Sequence, residues 1–486
     1  MKSIPFLLLF CFFTCKVCSQ IIFDDNSMRA KIVWLSEKGI ENRSIFKTYL
    51  EECDLLGLDS CNYEYDFNEQ SQLTNLEDSV AADQRITMAV KHFFYDVAYG
   101  RNVPKVAYNG LNDEICQDIS TKILKSLNEG TFKYLLQEIE PASPEYIAIK
   151  KAIAQYTLMP HESTPITSYI VDSTNHPLIE KLYSLGFLDT LNYQLPEIYI
   201  RQQLRKAQHL FELYEDGGLR PGVFDALNVP LSVRIQQLKQ SLNVFRWLNC
   251  YRENKQIIVV NIPSANLFFY QGNSILLSSH TVVGRRATPT PTLCSKVTEL
   301  VMYPYWTVPY SIATKELLPA IRNNISYLAA GNYQVLDKQG VVLNPYDINW
   351  KALSSKNFPY TIRQANGCDN SLGIMKLNFF TPYDVYLHDT PWKNFFSYNQ
   401  RYFSHGCIRV EEAMALARLV MPARANEINH LAEMKKTSDG KPVIMKLKDP
   451  IPVFVLYQVA WPDENGMIRF FKDVYGKYDW IILTIR

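Results

Sequence analysis

The hydrophobic period of this chain changes at about Lys255, and that change requires two kinds of architecture in one polypeptide. Upstream, apolar residues recur at helical spacing. In Ala82–Phe94 the side chains Ile86, Val90, Phe93 and Phe94 fall on one stripe. A second run, Pro144 to Tyr156, opens with Ser143-Pro144-Glu145, a helix-start signal. Downstream, Ile257-Ile258-Val259-Val260 is a β-branched run, and Leu267–Tyr270, a Gln271-Gly272-Asn273 turn and Ser274–Leu277 read as a hairpin. Strand texture returns at Ile374–Leu377, Val385–Leu387 and, after a helix over Ala413–Leu419, in a late segment from Pro452 to Ile485. With 486 residues and 47% hydrophobic content, the chain has material for several domains and a sizeable core. The expected fold class is α+β and multidomain.

The N-terminus reads as an export signal. Met1-Lys2 precedes the apolar run Ile4–Phe13, and Val17-Cys18-Ser19 offers small or modest residues before a cut ahead of Gln20. The run is well short of the roughly 20 residues of a spanning helix, so a cleaved signal is favoured over an anchor. No later segment reads as a membrane span. The formal net charge is +1, and losing Lys2 and Lys16 would make the mature chain slightly acidic, so nothing points to a nucleic-acid partner. Seven cysteines follow the signal: 53, 61, 116, 250, 294, 368 and 407. In an oxidising compartment some are expected to pair, and Cys53 with Cys61 is the pair close in sequence. An odd count leaves one thiol over. No Cys/His group has zinc spacing, so no metal or cofactor is expected.

The chemistry concentrates in one segment. Tyr386-Leu387-His388-Asp389-Thr390-Pro391 is followed, after a loop, by Phe403-Ser404-His405-Gly406-Cys407-Ile408-Arg409-Val410. A cysteine nucleophile needs a base or a lowered pKa, and a histidine within reach supplies both. His388 closes a predicted strand and Cys407 stands 19 positions later, so adjacent strands could bring them together. Gly406 permits close backbone approach, and amides near Cys407 could form an oxyanion hole. In papain-like enzymes the cysteine precedes the histidine, and caspase-like enzymes place the histidine roughly 50 residues upstream; neither order and spacing fits. Asp389 could complete a triad, but neighbours on a strand face opposite ways, so a backbone carbonyl orienting His388 is at least as good a candidate.

The string Ser404-His405-Gly406-Cys407, with 15 residues between His388 and Ser404, resembles the signature of the YkuD-type L,D-transpeptidases, and more narrowly their large periplasmic branch typified by YcbB. Similarity extends over Val282-Val283-Gly284-Arg285, Thr290-Pro291, Trp306-Thr307-Val308-Pro309, Leu372-Gly373-Ile374-Met375-Lys376, Leu387–Pro391, Cys407–Glu411, Pro452-Val453-Phe454 and Asp473-Val474-Tyr475-Gly476. The residues themselves give a signal peptide over 1–19, a helical scaffold over 20–203 and a linker helix over 233–254; the resemblance implies a small helical peptidoglycan-binding-like module over 204–232 and a β-rich catalytic domain over 255–486 with a capping insertion at about 305–365. It implies a periplasmic enzyme acting on peptidoglycan stem peptides. Cys407 would attack a tetrapeptide donor and release D-Ala, and the acyl group would pass to a neighbouring stem as a 3→3 cross-link, with His388 carrying the proton. Ser404, His405 and Gly406 would shape the oxyanion pocket. Arg409 would pair with a substrate carboxylate, though the simplest form of the motif ends in Asn there. Tyr386 and Trp306 would touch the stem. For the module, Asp216-Gly217-Gly218-Leu219 with Gly222 implies contact with glycan strands or a purely structural hinge. Water as acceptor, giving a carboxypeptidase or a hydrolase that frees wall-bound protein, stays open, as does a non-catalytic scaffold.

Overall fold

The computed structural model describes residues 33–63, 76–101, 103–112, 115–159, 164–253, 255–434 and 441–478. The expected signal peptide and the end of the late β segment lie outside them. Two compact units result: one of Met1–Asp54, Asp59–Asp96 and Asp118–Ile139, the other of Leu55–Leu58, Val97–Gln117 and Glu140–Arg486.

In the first unit the predicted stripe is the buried face of the Leu76–Tyr99 helix: Ile86, Val90, Phe93 and Phe94 are all buried. Phe93 and Phe94 meet Phe46, Tyr49 and Phe132 largely edge to face, the geometry that ring quadrupoles favour. The Asp83 carboxylate accepts the amides of Val33, Trp34 and Leu35 at 3.2, 2.7 and 3.0 Å, fastening the entering chain.

The second unit is built on strands β1 (Gln256–Asn261), β2 (Asn266–Gln271), β3 (Ser274–Gly284), β4 (Leu293–Met302), β5 (Met375–Phe379), β6 (Leu387–His388), β7 (Tyr402–Ser404), β8 (Ile408–Val410) and β9 (Val443–Leu456). Their order is β4-β5-β6-β8-β3-β2-β1-β9, and β9 pairs again with β4. The path therefore closes on itself, which removes free sheet edges; β7 joins β3 from the side. The run Ile257–Val260 does not alternate in polarity because both its faces are covered. Ile258 and Val260 enter the core inside the ring, while Ile257 and Val259 pack outward against helices Pro144–Thr157 and Leu231–Arg252. Ser143 caps the first of these helices, its Oγ accepting the Tyr146 amide. The segment 204–230 folds as the end of helix Glu197–Leu210, a turn, and helix Pro221–Leu227, and its apolar residues share that outer core.

A buried ion pair, Arg252 Nη1 to Glu145 Oε2 at 3.1 Å, ties the two long helices together, with the guanidinium 4.1 Å over the Tyr270 ring. The disulfide joins Cys116 to Cys250, 134 residues apart, rather than the sequence neighbours Cys53 and Cys61. In a chain-entropy account a loop of that size stabilises by about 4–5 kcal/mol.

Residues 306–364 carry a separate four-stranded sheet, ordered 306–307, 361–364, 333–336 and 342–343, over a core of its own that includes Val308, Leu317, Ile321, Val335, Trp350 and Ile362. Its helical arm changes its winding along its length. Tyr310–Ile312 and Leu318–Asn323 are α-helical, but Ala313–Leu317 between them forms a π turn. Pro319 lacks an amide to donate back into that turn, a local reason for the widening.

Candidate active site

Three neighbouring strands of the ring bring the predicted chemistry to one face. His388 ends β6; its ladder partners are Lys376 on β5 and Arg409 on β8. Residues directly opposite share a face, and so do residues two apart on one strand. Lys376, His388 and Arg409 thus form a row. Tyr386, two before His388, and Cys407, two before Arg409, extend that face.

His388 is buried, and its Nδ1 lies 2.5 Å from the Asp389 carbonyl oxygen. A carbonyl can only accept, so Nδ1 carries the proton and Nε2 is left as the acceptor. Burial, then Arg409, and then Lys376 disfavour a second proton, holding the imidazole pKa down to about 3. The Asp389 carboxylate is turned away. It accepts the Ile374 amide at 3.0 Å and the Lys393 ammonium at 2.7 Å, and a Cβ on Gly373 would meet its Oδ2 at 2.3 Å. The carbonyl, not the carboxylate, orients the His388 imidazole.

Cys407 is partly exposed, its thiol directed at the Asp384 carbonyl at 3.6 Å. Burial pushes the thiol pKa up, opposed by hydrogen bonds from the Tyr386 hydroxyl and amide and by the cations Lys376 and Arg409. Tyr386 in turn receives a hydrogen bond from the Trp306 indole at the start of the insertion, and its ring lies 5.6 Å from that of His388. Among the described residues no hydrogen bond joins His388 to Cys407. The thiol's immediate neighbour is Tyr386.

The turn carrying Cys407 is held from behind. Ser404 Oγ donates to the Cys407 carbonyl at 2.6 Å and accepts the Gly406 amide at 3.1 Å. Gly406 sits at φ +118°, a conformation side-chain-bearing residues rarely adopt. Thr290 Oγ1 donates to the Gly406 carbonyl and accepts the Gly284 amide, both at 2.8 Å, and Tyr475 OH donates to the Gly284 carbonyl at 2.6 Å. The Val282–Arg285, Thr290-Pro291 and Asp473–Gly476 stretches thus meet behind one turn.

His405 points elsewhere. Its Nε2 lies 2.9 Å from Glu316 Oε1, on the π turn of the insertion, and 3.0 Å from Arg285 Nη2. The Arg409 guanidinium stacks over Trp392 and Phe395 at 5.2 and 5.7 Å. Sequence reasoning passed over Lys376, Glu316, Arg285 and the Thr290 hydroxyl. For Lys376 the signal was available: it is a charge inside the apolar strand Ile374-Met375-Lys376-Leu377. Glu316 carries no such mark. Among the described residues no cluster has the makings of a metal site, and no helix is long and apolar enough to cross a membrane.

Comparison with known proteins gives matches by sequence to two domain families. Residues 255–445 match the model of the L,D-transpeptidase catalytic domain, YkuD, and residues 26–153 match a Scaffold domain. A Haemophilus influenzae protein, provisionally named an L,D-transpeptidase, is 37% identical over 225 residues, 46% of this chain and 44% of that protein, so the match spans less than half the relative's length. Among solved structures, an L,D-transpeptidase from Mycobacterium smegmatis is 16% identical, with 42% of this chain and 58% of that one covered and a TM-score of 0.19. An L,D-transpeptidase from Stackebrandtia nassauensis is 14% identical, covering 60% and 97%, with a TM-score of 0.22. Scores of that size leave the assignment resting on the sequence match. The chain thus carries a YkuD L,D-transpeptidase catalytic domain at residues 255–445 and a Scaffold domain at residues 26–153.

Proposed function

We propose that the protein forms 3→3 cross-links in peptidoglycan through an acyl-enzyme on Cys407. The thiol proton passes to His388 Nε2 as sulfur attacks the carbonyl before the terminal D-Ala of a donor tetrapeptide. The C–N bond breaks, and His388 returns the proton to the departing amine. A side-chain amine of a second stem then attacks the thioester and gives its proton to His388. The new amide forms, and the proton returns to the released sulfur. The Cys407 amide, not spent on the contacts that hold the turn, serves as an oxyanion donor. The observation that carries the reading is the shared face of His388 on β6 and Cys407 in the turn leading into the adjacent β8, with Nδ1 of the base fixed by the Asp389 carbonyl.

Proton transfer in the free enzyme is uphill. Moving a proton from an ordinary thiol to an imidazole held near pKa 3 costs on the order of 7 kcal/mol. The resting pair is therefore neutral, and transfer belongs to the substrate-bound state. Export to the periplasm fits this substrate, and the Cys116–Cys250 disulfide supports an oxidising compartment. The insertion at 306–364 favours an amine acceptor over water, because it reaches the thiol through Trp306 and Tyr386 and would shield a thioester.

The test is incubation of the mature protein with a disaccharide tetrapeptide, read by mass spectrometry beside Cys407→Ala. A dimer short of one D-Ala, absent from the variant, is expected. Tripeptide without dimer would make the enzyme a carboxypeptidase, and no turnover by folded protein would leave a binding role.

A further inference from the structure

The acyl-transfer scheme gives Lys376 no part. Lys376 stands opposite His388 in the β5/β6 ladder, on the side away from Arg409. Its ammonium lies 3.8 Å from the centroid of the Tyr386 ring, and the Tyr386 hydroxyl is hydrogen-bonded to the Cys407 thiol. Among the described residues it makes no ion pair: Asp384 and Glu299 act on it only from a distance. A half-buried ammonium with no anion at hand loses hydration for nothing, unless negative charge develops nearby during turnover.

The Cys407 sulfur is where negative charge can develop. The groups facing it are the Tyr386 hydroxyl and amide, the Asp384 carbonyl, and the cations Lys376 and Arg409. An imidazolium at His388 is a poor counter-ion here, because a proton on it would set three positive charges abreast in one ladder row. The two cations that flank the base are already charged. A cation over the Tyr386 ring also makes its hydroxyl a stronger donor to sulfur. Trp306 anchors the same hydroxyl from the insertion, so the line Lys376–Tyr386–Cys407 is held at both ends.

We propose that Lys376, poised over the Tyr386 ring, is the positioning charge that makes the Cys407 thiolate available, while His388 rests as a neutral proton acceptor. This rests on Cys407 being the nucleophile, but its test needs no stem peptide. The rate of iodoacetamide alkylation of Cys407 is followed against pH on the full chain, by peptide-resolved mass spectrometry because Cys61 and Cys368 are also exposed.

Lys376→Met should move the alkylation midpoint up by about one pH unit, equivalent to about tenfold slower alkylation at a fixed lower pH, and Lys376→Arg should restore it. His388→Gln should leave the midpoint in place or lower it. An unmoved midpoint in Lys376→Met, or an upward shift in His388→Gln as large as that expected for the lysine, would overturn the proposal. If Lys376→Met does not fold, Glu299→Gln removes an opposing carboxylate from the lysine's field and should lower the midpoint; no change there overturns it equally. Absence of cross-linked product in the wild type would sink the transpeptidase reading while leaving these midpoints to be judged separately.

Discussion

The Cys407 turn and the 306–364 insertion meet at one site but are fastened in different ways. The turn is gripped largely through its backbone, by Ser404, Thr290 and Gly284, with Tyr475 behind them. The insertion has a sheet and core of its own, and reaches the surroundings of Cys407 through side chains, Trp306 to Tyr386 and Glu316 to His405. Backbone contacts at buried positions fix geometry to fractions of an ångström. Side-chain contacts at a half-exposed rim can be broken and remade. Under the proposed reaction, the difference separates what must stay still during acyl transfer from what must yield to admit a stem peptide.

The sharpest way to break that contrast is Gly406→Ala. At φ +118° the added methyl forces the turn to rearrange rather than merely crowd a neighbour, since the nearest atom lies at 3.7 Å. The expected result is a loss of about 100-fold or more in acylation rate with the melting transition retained. A variant as fast as the wild type would show that the turn does not need its conformation.

The pH response sharpens the fixed side further. His388 is neutral in the fold down to about pH 3, whereas in the unfolded chain it takes a proton near pH 6.5. Stability from this residue is therefore complete above about pH 6.5 and is lost as pH falls towards 3, by up to a few kcal/mol. Urea midpoints at pH 7 and pH 4 should fall further apart in the wild type than in His388→Gln. Equal falls would mean the imidazole takes up protons freely in the fold.

The smallest effect is expected at the rim. Glu316 and His405 form a partly exposed pair, worth about 0–1 kcal/mol. Glu316→Gln should change kcat/KM less than about fivefold, chiefly through KM. A collapse of kcat would place the insertion among the rigid parts and erase the comparison.

Much of the candidate site is legible in the sequence because its parts are local. Ser404 to Cys407 is a single turn, and the order and spacing of His388 and Cys407 separate this chain from papain-like and caspase-like enzymes. Helices such as Leu76–Tyr99 are legible for a similar reason, since a buried stripe repeats at the helical period. The orienting group for His388 was left between Asp389 and a carbonyl, and the ladder geometry decided it, because the carboxylate is consumed by the Ile374 amide and Lys393. The Cys116–Cys250 bridge had no sequence signal, since 134 residues separate its ends. The engagement of His405 with Glu316 likewise depends on an insertion folding back over 89 positions.

The sequence by itself determined the two textures of the chain, the candidate nucleophile and base, and the catalytic-domain resemblance, because periodicity and short motifs are properties of neighbouring residues. Only the tertiary structure decided which charges surround the sulfur. Lys376, His388 and Arg409 come from three strands, and their alignment is set by ladder register. Register arises from the closing of the ring and the packing of its interior, and no local stretch of chain encodes it.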